Sequence, residues 1–261
     1  MNGDFLSLLP QRAGLAGAAS VAPAHRDGPP GHSHPLALEA TTVFAFHCSE
    51  GVLVAGDHRA TAGNLVFSDR TEKIIELDSH SMIAIAGSPA IAVEMARTLQ
   101  TAFEFYRRSQ LQAMSLAAKM RALSRLLHDN VPATLQGFGL VAPIFAGLDA
   151  ATNRPAIYFY DPLGAHFEAA AYAGSGSGSG SIKSVLHFLE KWGNPKPADL
   201  SLGQAVALAN RLLITAAEFD TATGGVNPSR EDFATIKILN AQGIRTVTTA
   251  EQARFWKEAA Q

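Results

Sequence analysis

The chain has 261 residues, 47% apolar and 17% charged, enough for one large domain or two small ones with a sizeable core. A formal charge of −2, with no basic run, removes the electrostatic case for nucleic acid or an anionic membrane surface. The single cysteine, Cys48, excludes an intramolecular disulfide, and no apolar run approaches the roughly 18 residues that suggest a spanning helix.

Residues 1–40 are rich in Pro, Gly, Ala and His, as in Ala22-Pro23-Ala24-His25. Such a segment buries too little to offset its ordering entropy and is expected to be largely disordered, with at most a short helix over residues 5–9. No basic residue precedes its first apolar stretch, and Pro10, Gln11 and Arg12 interrupt that stretch, so it does not read as a secretory signal. The protein reads as soluble and cytoplasmic. His32 and His34 have no further ligand at a recognised spacing, and no metal is expected.

From Thr41 the pattern becomes strand-like. Residues 41–48 and 51–57 form a hairpin about Glu50-Gly51, and residues 65–68, 73–77 and 82–86 extend the sheet. Gly87-Ser88-Pro89 stops the last of these. Ile91, Met95, Leu99, Phe103 and Tyr106 then follow helical spacing, and a second helix is expected over 111–128. Strands at 140–147, 156–160 and 167–172 read as an antiparallel meander. A Gly-Ser tract at 174–181 follows, with a flexible linker as one reading of its outer part. Helices at 182–192 and 202–219, a turn at 220–225, strands at 235–239 and 244–248, and a short terminal helix complete the chain. Strands, two helices, strands, two helices, strands is not βαβ alternation. It suits an α+β, four-layer αββα sandwich: two antiparallel sheets face to face, with a helix pair on each outer side.

Three polar residues stand at or near the ends of successive strands. Thr41 opens the first, Asp57 follows the second, and Lys73 heads a later one. A threonine hydroxyl is a poor nucleophile unless a base takes its proton. Cleavage of the chain before the threonine supplies such a base, because the freed α-amine has a pKa of about 7.7–8.0. The boundary between leader and strand falls at Thr41-Thr42, where such a cut belongs. A nearby lysine lowers the pKa of hydroxyl and amine, and a buried lysine needs a carboxylate, for which Asp57 is the candidate. Taken singly, the threonines read as ordinary β-branched strand residues and the charges as surface residues.

Read together, Thr41-Thr42-Val43, the run Gly51-Val52-Leu53-Val54-Ala55-Gly56-Asp57-His58-Arg59-Ala60-Thr61, Lys73, and Ile85-Ala86-Gly87 resemble the start of a mature proteasome β subunit of the actinobacterial type. The likeness continues through the Gly-Ser-Gly motif and Asp220-Thr221-Ala222-Thr223-Gly224-Gly225, and so covers nearly everything from 41 onward. It implies the N-terminal-nucleophile hydrolase fold and a threonine peptidase. Residues 1–40 would be a propeptide, removed autocatalytically between Ala40 and Thr41, and 41–261 the catalytic domain. Thr41 would be nucleophile and amine base, with Asp57 and Lys73 the charge pair beside it and the Gly87 amide the oxyanion donor. Asp220 and Thr223, with Ser175 or Ser177, would support the amine. Thr61 and Gly87 would pair with an extended substrate, and Ala60, Thr71, Ile85 and Pro89 would line the side-chain pocket. The partners implied are α subunits and further β subunits in stacked seven-membered rings, a ring-shaped ATPase and unfolded polypeptide, with no cofactor.

Two features depart from the family pattern. Ala40 stands where Gly is usual, and a methyl group there slows the backbone turn that cleavage needs. The Gly-Ser tract is longer than the motif, which leaves the register of its serines open. No Gly-Lys-Ser/Thr ending follows it, so a phosphate cradle is not expected. A simpler two-ring peptidase, an amidase of the same fold and a non-catalytic ring subunit are the rival readings. The Asp-Thr-Ala-Thr-Gly-Gly turn and the extra C-terminal length oppose the first two. Retention of Thr41, Asp57 and Lys73 together opposes the third.

Overall fold

The computed structural model describes residues 41–62, 65–68, 70–136 and 139–259. The expectations on residues 1–40, including the short helix, His32, His34 and the cleavage position at Ala40, lie outside the described residues.

Strand β1 (Thr42–Cys48) turns into β2 (Gly51–Gly56), and a ribbon of β3 (Ala60–Ala62) and β4 (Leu65–Ser68) follows. Next come β5 (Ile74–Asp78), β6 (Ser81–Ala84), helices α1 (Pro89–Gln110), α2 (Leu116–Asp129) and α3 (Val131–Leu135), then β7 (Ile144–Asp149), β8 (Arg154–Tyr160) and β9 (His166–Ala169). The rest is β10 (Tyr172–Gly176), α4 (Ser179–Trp192), α5 (Leu202–Phe219), β11 (Thr235–Asn240), β12 (Gly243–Thr246) and α6 (Thr249–Glu258). One five-stranded sheet has the order β10-β1-β2-β11-β12, the other β5-β6-β7-β8-β9, and the pairings in both are antiparallel.

The period of two along β1 explains the layering. Phe44, Phe46 and Cys48 pack outward against Ile182 and Leu186 of α4 and Leu212, Leu213 and Ala216 of α5. Val43 and Ala45 point the other way, into a second apolar layer with Ile74, Met82, Ile144 and Ile157 of the facing sheet. A third layer lies beyond that sheet, where Ile83 and Phe145 meet Leu99 and Phe103 of α1 and Leu123 and Leu127 of α2. A strand buried on both faces must be apolar at nearly every position, which is why 42–48 reads as a continuous run rather than an alternation. The observed architecture is the expected αββα sandwich, with α6 added against α5.

Several boundaries differ from the sequence reading, among them the strand expected over 140–147, which runs over Ile144–Asp149. Residues 65–68 belong to a separate ribbon, and 74–78 begin the second sheet rather than extending the first. Helix α2 starts at Leu116, not 111, because the Ser115 hydroxyl caps it by accepting the Ala118 N–H, and Leu111 ends α1 at φ 53°. The strand expected over 167–172 is two: β9 edges one sheet and β10 edges the other, with the chain crossing at 170–171. The Gly-Ser tract is not a linker. Its first part completes β10 against β1, and its last part forms the first turn of α4.

Candidate active site

The site lies where the start of β1, the end of β2, the head of β5 and the 220–225 turn converge. Thr41 itself is buried, and its carbonyl accepts the Ser177 N–H at 3.2 Å. Gly176, opposite Thr42 in the β1–β10 register, passes so close that a Cβ there would stand 1.5 Å from the Thr41 oxygen. It also takes φ +96°, which a side chain disfavours. Glycine in the tract is therefore a requirement of close backbone approach.

Asp57 leaves β2 with both carboxylate oxygens occupied. Oδ1 accepts from Lys73 Nζ at 2.6 Å and from the Thr42 N–H at 3.0 Å. Oδ2 accepts from the Arg59 N–H at 3.0 Å and the Gly224 N–H at 2.7 Å. Lys73 also donates to the Arg59 carbonyl. Lysine and aspartate are both buried, so the pair is held out of water by a full set of hydrogen bonds. Burial pushes the Lys73 ammonium below the usual lysine range, and the charge of Asp57 and its hydrogen bond oppose that push. The result is a cation that gives up its proton more readily than a surface lysine.

Thr41 and Lys73 line one small cavity of about 40 Å³ with Ala60, Thr71, Glu72, Ile85, Gly87, Pro89 and Val93. The proposed pocket residues Ala60, Thr71, Ile85 and Pro89 are thus gathered with the proposed nucleophile. Thr61 lies in β3 opposite Val66. Gly87 faces Val141 in an isolated antiparallel bridge. The bonds across that bridge are made by its neighbours, Ser88 N–H to the Leu140 carbonyl and Ala142 N–H to the Ala86 carbonyl. The Gly87 N–H therefore points away from the Val141 strand, and it has no acceptor among the described residues. Its φ of +109° and a Cβ position 2.0 Å from the Leu140 oxygen leave room for glycine alone.

On the other side of Thr41, Asp220 Oδ2 accepts from the Ser177 hydroxyl at 2.5 Å and the Thr223 hydroxyl at 2.6 Å, and Oδ1 accepts the Ala222 N–H at 3.1 Å. Burial works against the Asp220 carboxylate, but the Ser177 and Thr223 hydroxyls prevail and hold its pKa below the ordinary value. Ser175 is elsewhere: its hydroxyl donates to the Ala142 carbonyl at 2.6 Å. Ser175 stands opposite Val43 and Ser177 bonds to Thr41, two residues apart along the chain, and composition alone does not choose between the two serines. Sequence reasoning passed over the Arg59 carbonyl, the Gly224 amide, Glu72 and Val93. Arg59 and Gly224 stand inside motifs already singled out, and Val93 lies four residues after Pro89 on α1, one turn further along the same face.

In class, this arrangement is that of an N-terminal-nucleophile hydrolase. The family model described as Proteasome subunit matches residues 38–227. A proteasome subunit beta of Stackebrandtia nassauensis is 34% identical over 238 residues, 90% of this chain and 83% of the relative. A proteasome subunit beta 2 of Thermomonospora curvata is 36% identical over 230 residues, 88% of this chain and 79% of the relative. A proteasome subunit beta of Acidimicrobium ferrooxidans is 34% identical over 247 residues, 95% of this chain and 85% of the relative. The chain belongs to the proteasome subunit family, as a β subunit of the bacterial type.

Proposed function

We propose that this chain is the catalytic β subunit of a bacterial proteasome core particle, a threonine endopeptidase whose nucleophile is Thr41. The observation that carries this reading is the single cavity shared by Thr41 and the Asp57-held Lys73. Residues 1–40 act as a propeptide. The Thr41 hydroxyl attacks the Ala40 carbonyl, the chain parts as an ester, and water releases the leader and frees the Thr41 amine. In the mature enzyme that amine takes the hydroxyl proton as Oγ attacks a substrate carbonyl. Developing charge on the carbonyl oxygen is met by the Gly87 N–H. The amine then protonates the departing peptide nitrogen, and water resolves the acyl ester. Lys73 favours the ionised hydroxyl and the neutral amine by charge. Asp220, Thr223 and Ser177 support the amine, and Ser175 is left to hold β10 against Ala142.

The substrate lies extended along the backbones of Thr61 and Gly87. Ala60, Ile85, Pro89 and Val93 give its side-chain pocket a small, mainly apolar wall, which favours apolar residues before the cut. The partners are α subunits and further β subunits in stacked seven-membered rings, with a ring-shaped ATPase that delivers unfolded polypeptide in the cytoplasm. No metal or cofactor is assigned a step. The test is Thr41→Ala. It should assemble, keep residues 1–40 and hydrolyse no peptide. Normal maturation and peptide cleavage by that variant would refute the reading.

A further inference from the structure

Thr42 reads in the sequence as an ordinary strand residue, yet it is fully buried and its polar atoms are all committed. Its N–H donates to Asp57 Oδ1 at 3.0 Å, and its carbonyl accepts the Asp57 N–H at 3.2 Å. Its hydroxyl accepts the Gly178 N–H at 3.0 Å and lies 2.6 Å from the Thr223 hydroxyl. The direction of that last bond follows from the neighbours. A threonine hydroxyl has one hydrogen, and an ionised carboxylate can only accept. Thr223 gives its hydrogen to Asp220 Oδ2, so Thr42 must be the donor to Thr223. The hydrogens thus run one way, from Gly178 through Thr42 and Thr223 to Asp220, and Ser177 donates to the same oxygen from the other side. A Cβ at Gly178 would stand 2.4 Å from the Thr223 hydroxyl and 2.7 Å from that of Thr42, so the chain is packed shut around this bond.

We infer that Thr42 is a positioning residue that locks the rotor of Thr223. With its hydrogen held by Asp220 and one lone pair filled by Thr42, the Thr223 oxygen keeps a single lone pair in a fixed direction. That lone pair serves the Thr41 amine once the leader is gone. Thr42 also joins the two charged groups of the site, Asp57 through its amide and Asp220 through its hydroxyl and Thr223. The charged groups around it are Asp57 and Lys73 on one side, Asp220 on the other, and Arg59 beyond Asp57. The inference rests on the proposed peptidase reading and adds a residue to it.

Thr42→Val keeps the shape and removes the hydroxyl. It is expected to lower kcat about tenfold with KM within about twofold, because one buried donor and one fixed acceptor are lost. Thr42→Ser restores the hydroxyl and is expected to recover most of kcat. In a Thr223→Val background the Thr42→Val change should cost little more, since its effect passes through Thr223. Wild-type kcat in Thr42→Val, a loss that Ser does not rescue, or full additivity with Thr223→Val would each overturn the inference. Wild-type protein that neither begins at Thr41 nor cleaves peptides would instead overturn the underlying reading, before any Thr42 variant is compared.

Discussion

An ammonium enclosed beside a threonine persists because one carboxylate and one carbonyl answer for it. Asp57→Asn removes that answer without changing shape. It is expected to lower peptide hydrolysis by about a hundredfold or more, read as kcat at saturating peptide. Asp220 brings a pH dependence. Its folded pKa lies below that of the unfolded chain, so its contribution to stability is complete above about pH 4 and lost as pH falls through the folded value. Below about pH 4 the melting temperature of the wild type should fall more steeply than that of Asp220→Asn. Equal slopes would show that the two hydroxyl bonds do not hold this carboxylate. Much of this cluster could be anticipated from the chain alone. A hydroxyl, a carboxylate and a lysine at the ends of strand-like runs, with a glycine after a fourth, are what the structure gathers. Thr42 could not be found that way, because its partner Thr223 lies 181 residues away, in the turn that follows α5. The choice between Ser175 and Ser177 was equally hidden, since register is a property of two strands and not of one.

At the scale of the elements, three apolar layers hold two sheets and their helices in place. Phe46, with no exposed surface, fills the layer beneath α4 and α5, and Phe46→Ala should cost about 3–5 kcal/mol in chemical denaturation. A second tie joins α2 to the β5–β6 hairpin. Lys119, buried on α2, donates to Asp78 Oδ2 at 2.5 Å and to the Ser81 hydroxyl at 3.3 Å, and rests 5.5 Å from the Phe103 ring centroid. Lys119→Met strands a carboxylate that is about three-quarters buried and should cost about 1–3 kcal/mol, with peptidase activity kept. Strands and helices were legible wherever apolar period and punctuation agreed. They failed at the β9–β10 crossing, because Ala170 and Ala171 carry no glycine or proline to mark a break. The start of α2 was missed for a related reason. Ser115 is a capping residue, but Ala118 stands where a capping box would place Glu or Gln. The same box is present before α5, at Ser201 and Gln204, and before α6, at Thr248 and Glu251, and both helices begin there.

For the whole molecule, family membership carries assembly into a multi-subunit core particle. No helix among the described residues is long and apolar enough to cross a membrane. In the proposed mechanism activity depends on a covalent event that sequence and fold only prepare: a backbone nitrogen buried at the head of β1 becomes a free amine beside its own hydroxyl. Determining the N-terminal residue of the chain in the assembled, peptide-hydrolysing particle tests this most directly, by intact mass and stepwise N-terminal sequencing. Chains that begin at Thr41 are expected in every active preparation. Activity from chains that still carry residues 1–40, or that begin at any other residue, would contradict it.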